Sequence, residues 1–219
     1  MVTQAEIKQD EVIRTYIEKA DETLQALGFT EHSYAHVTRA AHFAQKVLSE
    51  LGYNERMCEL AWIAGYMHDI GNMMNRIDHA QSGAVMAFHI LSEKGMDPAE
   101  IATVCSAIGN HDESTAFPVN PVAAALILAD KTDVRRSRVR NRDINTFDIH
   151  DRVNYAVEKA STALTEDKTA VVLDLNIDTA MSPVIDYFEI FMERMLLCRR
   201  AAEKLQLQFH LIINGQNVL

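Results

Sequence analysis

Cysteine is scarce in this 219-residue chain: Cys58, Cys105 and Cys198 are an odd set with no close pair. That argues against a disulfide framework and against a thiolate zinc site. No apolar run approaches the roughly 20 residues needed to span a bilayer, and the stretch Met1-Val2-Thr3-Gln4-Ala5-Glu6 has no apolar signal segment. A cytoplasmic location with no membrane partner is the expectation. Positive charge is also in deficit, with 21 Lys and Arg against 31 Asp and Glu and a formal net charge of -10. Such a chain is poorly suited to a nucleic-acid polymer, whose affinity comes largely from neutralised phosphates. A small phosphorylated ligand stays open where bound cations and a few arginines make one pocket locally positive. What remains is an ordinary globular composition, 48% hydrophobic and 24% charged, long enough to bury one sizeable core.

Apolar residues recur at steps of three and four through most of the chain, which predicts helices. They run over Gln4 to Leu27, His32 to Leu51, Asn54 to Gly71, His79 to Lys94, Pro98 to Gly109 and Val122 to Asp130, with Asn54 as an N-cap and Pro98 at a first helical position. The loop from Asp112 to Asn120 breaks this pattern. The last third differs. An amphipathic helix near Ile149 to Ala160 precedes a strand with period-two alternation at Val171 to Asp178, a long helix at Ser182 to Leu205 and a strand at Phe209 to Asn214. Two strands alone are marginal in water, so a third at Ser161 to Leu164, or packing against the helical core or another subunit, is expected to complete the sheet. The fold class is mainly α: a helical bundle over residues 1–150 with a small C-terminal α/β extension, residues 151–219, of two or three strands plus a long helix.

His68-Asp69 stands at the end of the third helix, where Leu60, Ile63, Ala64 and Met67 would be buried. Burying an ionised carboxylate beside an imidazole is costly unless a cation compensates. The dipeptide alone is a weak signal: about one is expected by chance at this composition, and the chain also has His111-Asp112 and His150-Asp151. Its company is the stronger signal. His36 lies on the preceding helix, Asp130 ends the apolar run Leu126-Ile127-Leu128-Ala129, and His79 and His111 lie between them. Facing helices of a bundle are where such side chains converge on an ion.

The ordered set H…HD…H…H…D, carried by His36, His68-Asp69, His79, His111 and Asp130 over about residues 30 to 140, resembles the HD-domain superfamily of metal-dependent phosphohydrolases. The resemblance implies an HD-type helical bundle in which His36, His68, Asp69 and Asp130 hold one metal. It also implies that His79 and His111 are the extra ligands of the two-metal branch, with Asp69 bridging. That branch includes enzymes cleaving diadenosine tetraphosphate symmetrically and enzymes cleaving cyclic di-GMP. The chain departs from the family at Asn72, where many members have Lys, and it lacks a Gly-Tyr-Pro signature after His111, reading Asp112-Glu113-Ser114-Thr115-Ala116-Phe117-Pro118.

Imidazole and carboxylate donors suit divalent transition metals, with Fe or Mn favoured and Zn, Co or Ni as options. Two ions about 3.5–4 Å apart can hold a hydroxide and polarise a phosphoryl oxygen for in-line displacement. The expected function is a metal-dependent phosphohydrolase cleaving a nucleotide or related phosphoester by metal-activated hydroxide. A di-iron oxygenase on the same scaffold and a non-catalytic nucleotide-binding signalling module are the alternatives. Asp69 and His68 carry the catalytic expectation, and Asp112 is weighed as an acid-base group against a surface carboxylate. Lys131, with one or two of Arg135, Arg136, Arg138, Arg140 and Arg142 and Arg135 or Arg136 preferred, is expected to grip a non-reacting phosphate, weighed against a solvated charged helix end. His32 is read as an outer or surface residue, and His42, His89, His150 and His210 as structural or exposed. The Met and aromatic stripe from Phe188 to Met195 reads as core or as a homo-oligomer interface.

Overall fold

The computed structural model describes residues 1–219. Its first turn, α1 (Gln4–Gln9), is separated from α2 (Glu11–Ala26) by Asp10. The sequence periodicity had suggested one continuous helix. Asp10 instead adopts an extended backbone and its carboxylate accepts from the Ile13 amide at 2.9 Å, capping α2. A local side-chain cap has displaced a helical turn.

Helices α3 (Tyr34–Glu50) and α4 (Glu55–Met67) follow, opened by the N-caps Ser33 and Asn54, of which Asn54 is the one expected from the sequence. They cross closely because Gly65 faces the α3 backbone; a Cβ there would lie 2.7 Å from Ala41 Cα. The α-helix then stops at Met67, not at Gly71, and a 3-10 turn over Ile70–Met73 carries the chain on. Next come α5 (His79–Glu93), α6 (Pro98–Gly109) and α7 (Pro121–Lys131), close to the expected bounds. Every α7 residue from Val122 to Ala129 is buried, so this apolar helix is the centre of the bundle.

Beyond α7 the chain runs through two short 3-10 turns, Arg136–Arg138 and Ile144–Thr146, into α8 (Ile149–Ala156). The expected helix to Ala160 ends early, because Val157–Leu164 forms β1 and pairs antiparallel with β2 (Ala170–Ile177). Inter-strand pairing wins over the local helical period. Helix α9 (Val184–Lys204) is the crossover that lets β3 (Gln208–Ile213) lie parallel to β2, and β4 (Gln216–Asn217) adds a short antiparallel edge. Val171, Leu173, Leu175 and Ile177 alternate inward along β2, and α9 packs between this sheet and α7. One cluster of 56 buried apolar residues runs from Val2 through α7 to Ile213. No helix is long and apolar enough to cross a membrane.

Candidate metal centre

Six side chains from five places in the bundle meet beside α7. His36 stands in the first turn of α3. His68 caps α4, and Asp69 follows it before the 3-10 turn. His79 opens α5 after Asp78, which takes a left-handed conformation (φ 57°). His111 lies just past α6, and Asp130 lies in the last turn of α7. Gly71 fixes the approach of the 3-10 turn to α5: a Cβ there would be 2.0 Å from the His79 carbonyl oxygen and 2.5 Å from the Gly83 nitrogen. His36, His68, Asp69, His79 and His111 are buried and Asp130 nearly so.

The ring orientation of each imidazole is set by what its Nδ1 meets. For His68 it is the Gly65 carbonyl at 2.8 Å, for His79 the Arg76 carbonyl at 3.0 Å, for His111 the Ile108 carbonyl at 2.6 Å. A carbonyl can only accept, so each Nδ1 carries the proton. His36 Nδ1 meets Asp133 Oδ2 at 2.8 Å. Burial would raise the Asp133 carboxyl, but its bonds from His36 and Arg135 outweigh this and hold it well below the usual carboxylate range. Asp133 therefore accepts as well. In the neutral form all four rings present an Nε2 lone pair, the arrangement in which a protein holds histidines for a metal.

Those lone pairs converge. His36 Nε2 is 3.2 Å from Asp130 Oδ1 and 3.6 Å from Asp69 Oδ2. His68 Nε2 is 3.3 Å from Asp69 Oδ2 and 3.7 Å from Asp130 Oδ1. His36 Nε2, His68 Nε2 and Asp69 Oδ2 are buried with no hydrogen-bond partner. On the other side of Asp69, Oδ1 lies 3.8 Å from His79 Nε2 and 4.0 Å from His111 Nε2, and these two nitrogens are 3.2 Å apart. Burial pushes His79 and, more strongly, His111 below the ordinary histidine value. Two neutral rings thus point lone pairs at each other, an arrangement that a cation between them stabilises. Bond lengths of about 2.0–2.2 Å to imidazole and carboxylate give ligand–ligand separations of about 3–3.5 Å, so the first group needs little movement to close on an ion.

The charges fit the same reading. Burial opposes ionisation of Asp69 and Asp130, yet His68 beside Asp69 and Lys131 beside Asp130 hold both well below the ordinary carboxyl range. His68 is pulled down by burial, but the two carboxylates outweigh this and lift it to about 10. In the ion-free cluster that proton sits on the Nε2 that would bind metal, so proton and metal compete for one atom. On the second side, Arg76 Nη1 stands 3.3 Å from His79 Nε2 and 3.3 Å from Asn72 Oδ1. Asn72, where a family lysine was missed, donates Nδ2–H to Asp69 Oδ1 at 2.9 Å and holds that carboxylate in place.

A cavity of about 310 Å³ opens over the cluster, bordered by Asp69, His79, His111 and Asp130 and by the cations Arg76, Lys131, Arg138 and Arg194. Lys131 is buried between Glu113 Oε2 (2.6 Å) and Asp130 Oδ2 (2.8 Å). Arg135 and Arg136, expected from the sequence to bind phosphate with Lys131, do not border this cavity. Arg135 Nε and Nη2 are taken by Asp133 at 2.6 and 3.0 Å, and Arg136 lies over the Tyr155 ring at 4.5 Å and bonds the Tyr155 carbonyl. Asp112 does not border it either: its carboxylate accepts from Ser114 in the loop. Other wall residues relate to the sequence reading in different ways: His32 and His150 were assigned outer, structural or exposed roles, Arg138 stood in the arginine-rich stretch after Lys131 in which Arg135 and Arg136 were preferred, and Arg76 and Arg194 were not singled out. Asp133, the partner of His36, was also missed, although an acidic residue three positions past Asp130 is a cue of the kind that locates such partners.

The fold and the cluster define a helical bundle with a buried histidine–carboxylate centre able to hold divalent metal. Residues 33–135, just under half of the chain, match the family model for the HD domain, in line with the resemblance to the HD-domain superfamily of metal-dependent phosphohydrolases drawn from the sequence. The chain is also similar to the crystal structure of a predicted HD superfamily hydrolase from an uncultured Thermotogales bacterium. The two are 25% identical over 57% of this chain and 67% of that one, with a TM-score of 0.45. No curated protein matches.

Proposed function

We propose that this protein hydrolyses a phosphoester, a nucleotide or a related small phosphorylated compound, at a centre of two divalent metal ions. One observation carries the reading: His36 Nε2, His68 Nε2 and Asp69 Oδ2 are buried, mutually convergent and without hydrogen-bond partners. His36, His68, Asp130 and one oxygen of Asp69 would hold the first ion; His79, His111 and the other oxygen of Asp69 would hold the second. Fe or Mn is favoured by the donor set. Bound ions supply Lewis-acid charge for a phosphoryl oxygen and make water nucleophilic at neutral pH.

The chain's own residues do the remaining work. Asp133 and the carbonyls of Gly65, Arg76 and Ile108 orient the imidazoles. Asn72 keeps Asp69 turned so that its two oxygens face opposite sides. Lys131, buried against Asp130 and Glu113, brings positive charge to the cavity wall beside the ligand Asp130. One lysine and three arginines border the cavity beside Asp69, Asp130, Asp148 and Asp151; with Asp69 and Asp130 neutralised by bound metal, the balance would favour a small anion over a neutral substrate.

The test is a nucleotide and phosphoester panel assayed for phosphate release after loading with Mn²⁺ or Fe²⁺. Metal-dependent turnover that is lost in Asp69→Ala and restored by no added metal agrees with the proposal. Nucleotide binding without product, or oxygen consumption by the reduced iron form in place of phosphate release, contradicts it.

A further inference from the structure

We propose that α9 completes the cavity with an anion-recognition residue: Arg194 binds a phosphate oxygen of the substrate. This rests on the phosphoester reading above and extends it to a helix that lies outside the family-matched residues 33–135. The residues argued so far to hold metal all lie between His36 and Asp130, and none of them comes from the last third of the chain.

Arg194 is held by two contacts that leave most of its guanidinium free. Nε donates to Glu113 Oε1 at 2.9 Å, and the guanidinium carbon lies 5.0 Å from the centroid of the Phe191 ring one turn earlier on α9. Nη1 and Nη2 have no protein acceptor, and the side chain borders the cavity beside Asp130 and Lys131. An arginine has five N–H donors in a planar fork. Here one is used for positioning and four are available, which is the geometry for bidentate capture of a phosphate.

Other arginines of this chain show the contrast. Arg135 spends its fork on Asp133 and Glu31, and Arg56 spends its own on Glu100, Glu59 and the Val2 carbonyl. Arg194 has only a share of Glu113, because the other oxygen of that carboxylate is bonded to Lys131. Two cations therefore lean on one carboxylate at the cavity wall, and Arg138 adds a third positive charge near them. The lining matches these cations with Asp69, Asp130, Asp148 and Asp151; with Asp69 and Asp130 neutralised by bound metal, the free Nη donors of Arg194 would be left for a phosphate oxygen.

The experiment measures inorganic phosphate binding by calorimetry to the metal-loaded protein, in wild type, Arg194→Gln and Arg194→Lys, with metal content and melting temperature recorded for each. A lost charge-assisted contact predicts phosphate binding about tenfold to a hundredfold weaker in Arg194→Gln at unchanged metal content. Arg194→Lys keeps a cation for Glu113 but lacks the fork, so it should hold the melting temperature near wild type and still bind phosphate at least several-fold more weakly. With a turned-over phosphoester, both variants should raise KM more than they lower kcat. Phosphate binding equal to wild type in Arg194→Gln overturns the proposal and leaves the phosphoester reading intact. Full recovery of affinity by Arg194→Lys also overturns it, because the residue then only ties α9 to Glu113. Should the metal-loaded wild type bind no phosphate and cleave no phosphoester, the underlying reading fails and this inference fails with it.

Discussion

Gly71→Ala tests how the packing of the bundle sets the metal centre. The added Cβ would lie 2.0 Å from the His79 carbonyl oxygen, 2.5 Å from the Gly83 nitrogen and 2.7 Å from Ser82 Oγ. Two of these three are backbone atoms of α5, so rotating a side chain cannot relieve the overlap. Restoring ordinary contact requires the Ile70–Met73 turn and the start of α5 to separate by about 1 Å or more. Overpacking of this kind costs about 1–3 kcal/mol, and backbone on both sides places it at the upper end. For a chain of this size that is a fall in melting temperature of about 5–12 °C. The same shift parts Asp69 from His79, and a misplacement of about 1 Å in a catalytic centre can cost about a hundredfold in rate.

Gly109→Ala is the control. It is also two residues from a candidate ligand, yet its Cβ would meet only Ala84 Cβ at 3.5 Å, an ordinary contact. At the end of α6 it should be neutral or stabilising by less than about 1 kcal/mol. Thermal melts and metal titrations of the two variants decide the matter. Gly71→Ala with wild-type melting temperature and full metal uptake would refute the view that this close approach positions Asp69 against α5.

Asp133→Ala should fold and lower metal affinity about tenfold to a hundredfold, as loss of an orienting partner of a ligand histidine does; a metal titration with a competing chelator reads this directly. The same change in Arg135, which touches Asp133 and not His36, should have a smaller effect. Metal uptake should release protons. His68 has its ion-free value lifted to about 10, so at pH 7–8 it is protonated and must lose that proton to bind. Affinity should therefore rise with pH, by close to tenfold per unit while His68 is the group titrating, and level off near pH 10. Calorimetry in buffers of different ionisation enthalpy counts the protons; none released would contradict the assignment of His68 Nε2 as a ligand.

The bundle was legible because its helices carry their own signals. Asn54 caps α4, Pro98 opens α6, and apolar residues fill the inward faces of α3 and α7. The His and Asp set was legible for a related reason: charged or ligand-type residues at the ends of apolar helices have an electrostatic cost that demands an explanation. What escaped depends on tertiary placement. Asp10 breaks the first helix through a cap whose periodicity looks continuous, and Val157 leaves the helix for a sheet whose partner strand lies past residue 170. Arg135 and Arg136 follow Asp130 closely in sequence but turn toward Asp133 and Tyr155. Arg194 is more than sixty residues past Asp130 on an amphipathic helix, where one arginine on the inner face looks like any other. Proximity along the chain favoured two arginines that do not border the cavity, whereas the fold brings α9 back across α7 and sets Arg194 there.

Anomalous diffraction from crystals of the Mn²⁺- or Fe²⁺-loaded protein tests the central claim most directly. Two peaks about 3.5–4 Å apart are expected, one among His36, His68 and Asp130, the other beside His79 and His111, with Asp69 contacting both. A single ion on the first group would contradict the two-ion centre, and no ion at His36, His68, Asp69 and Asp130 would contradict the account as a whole.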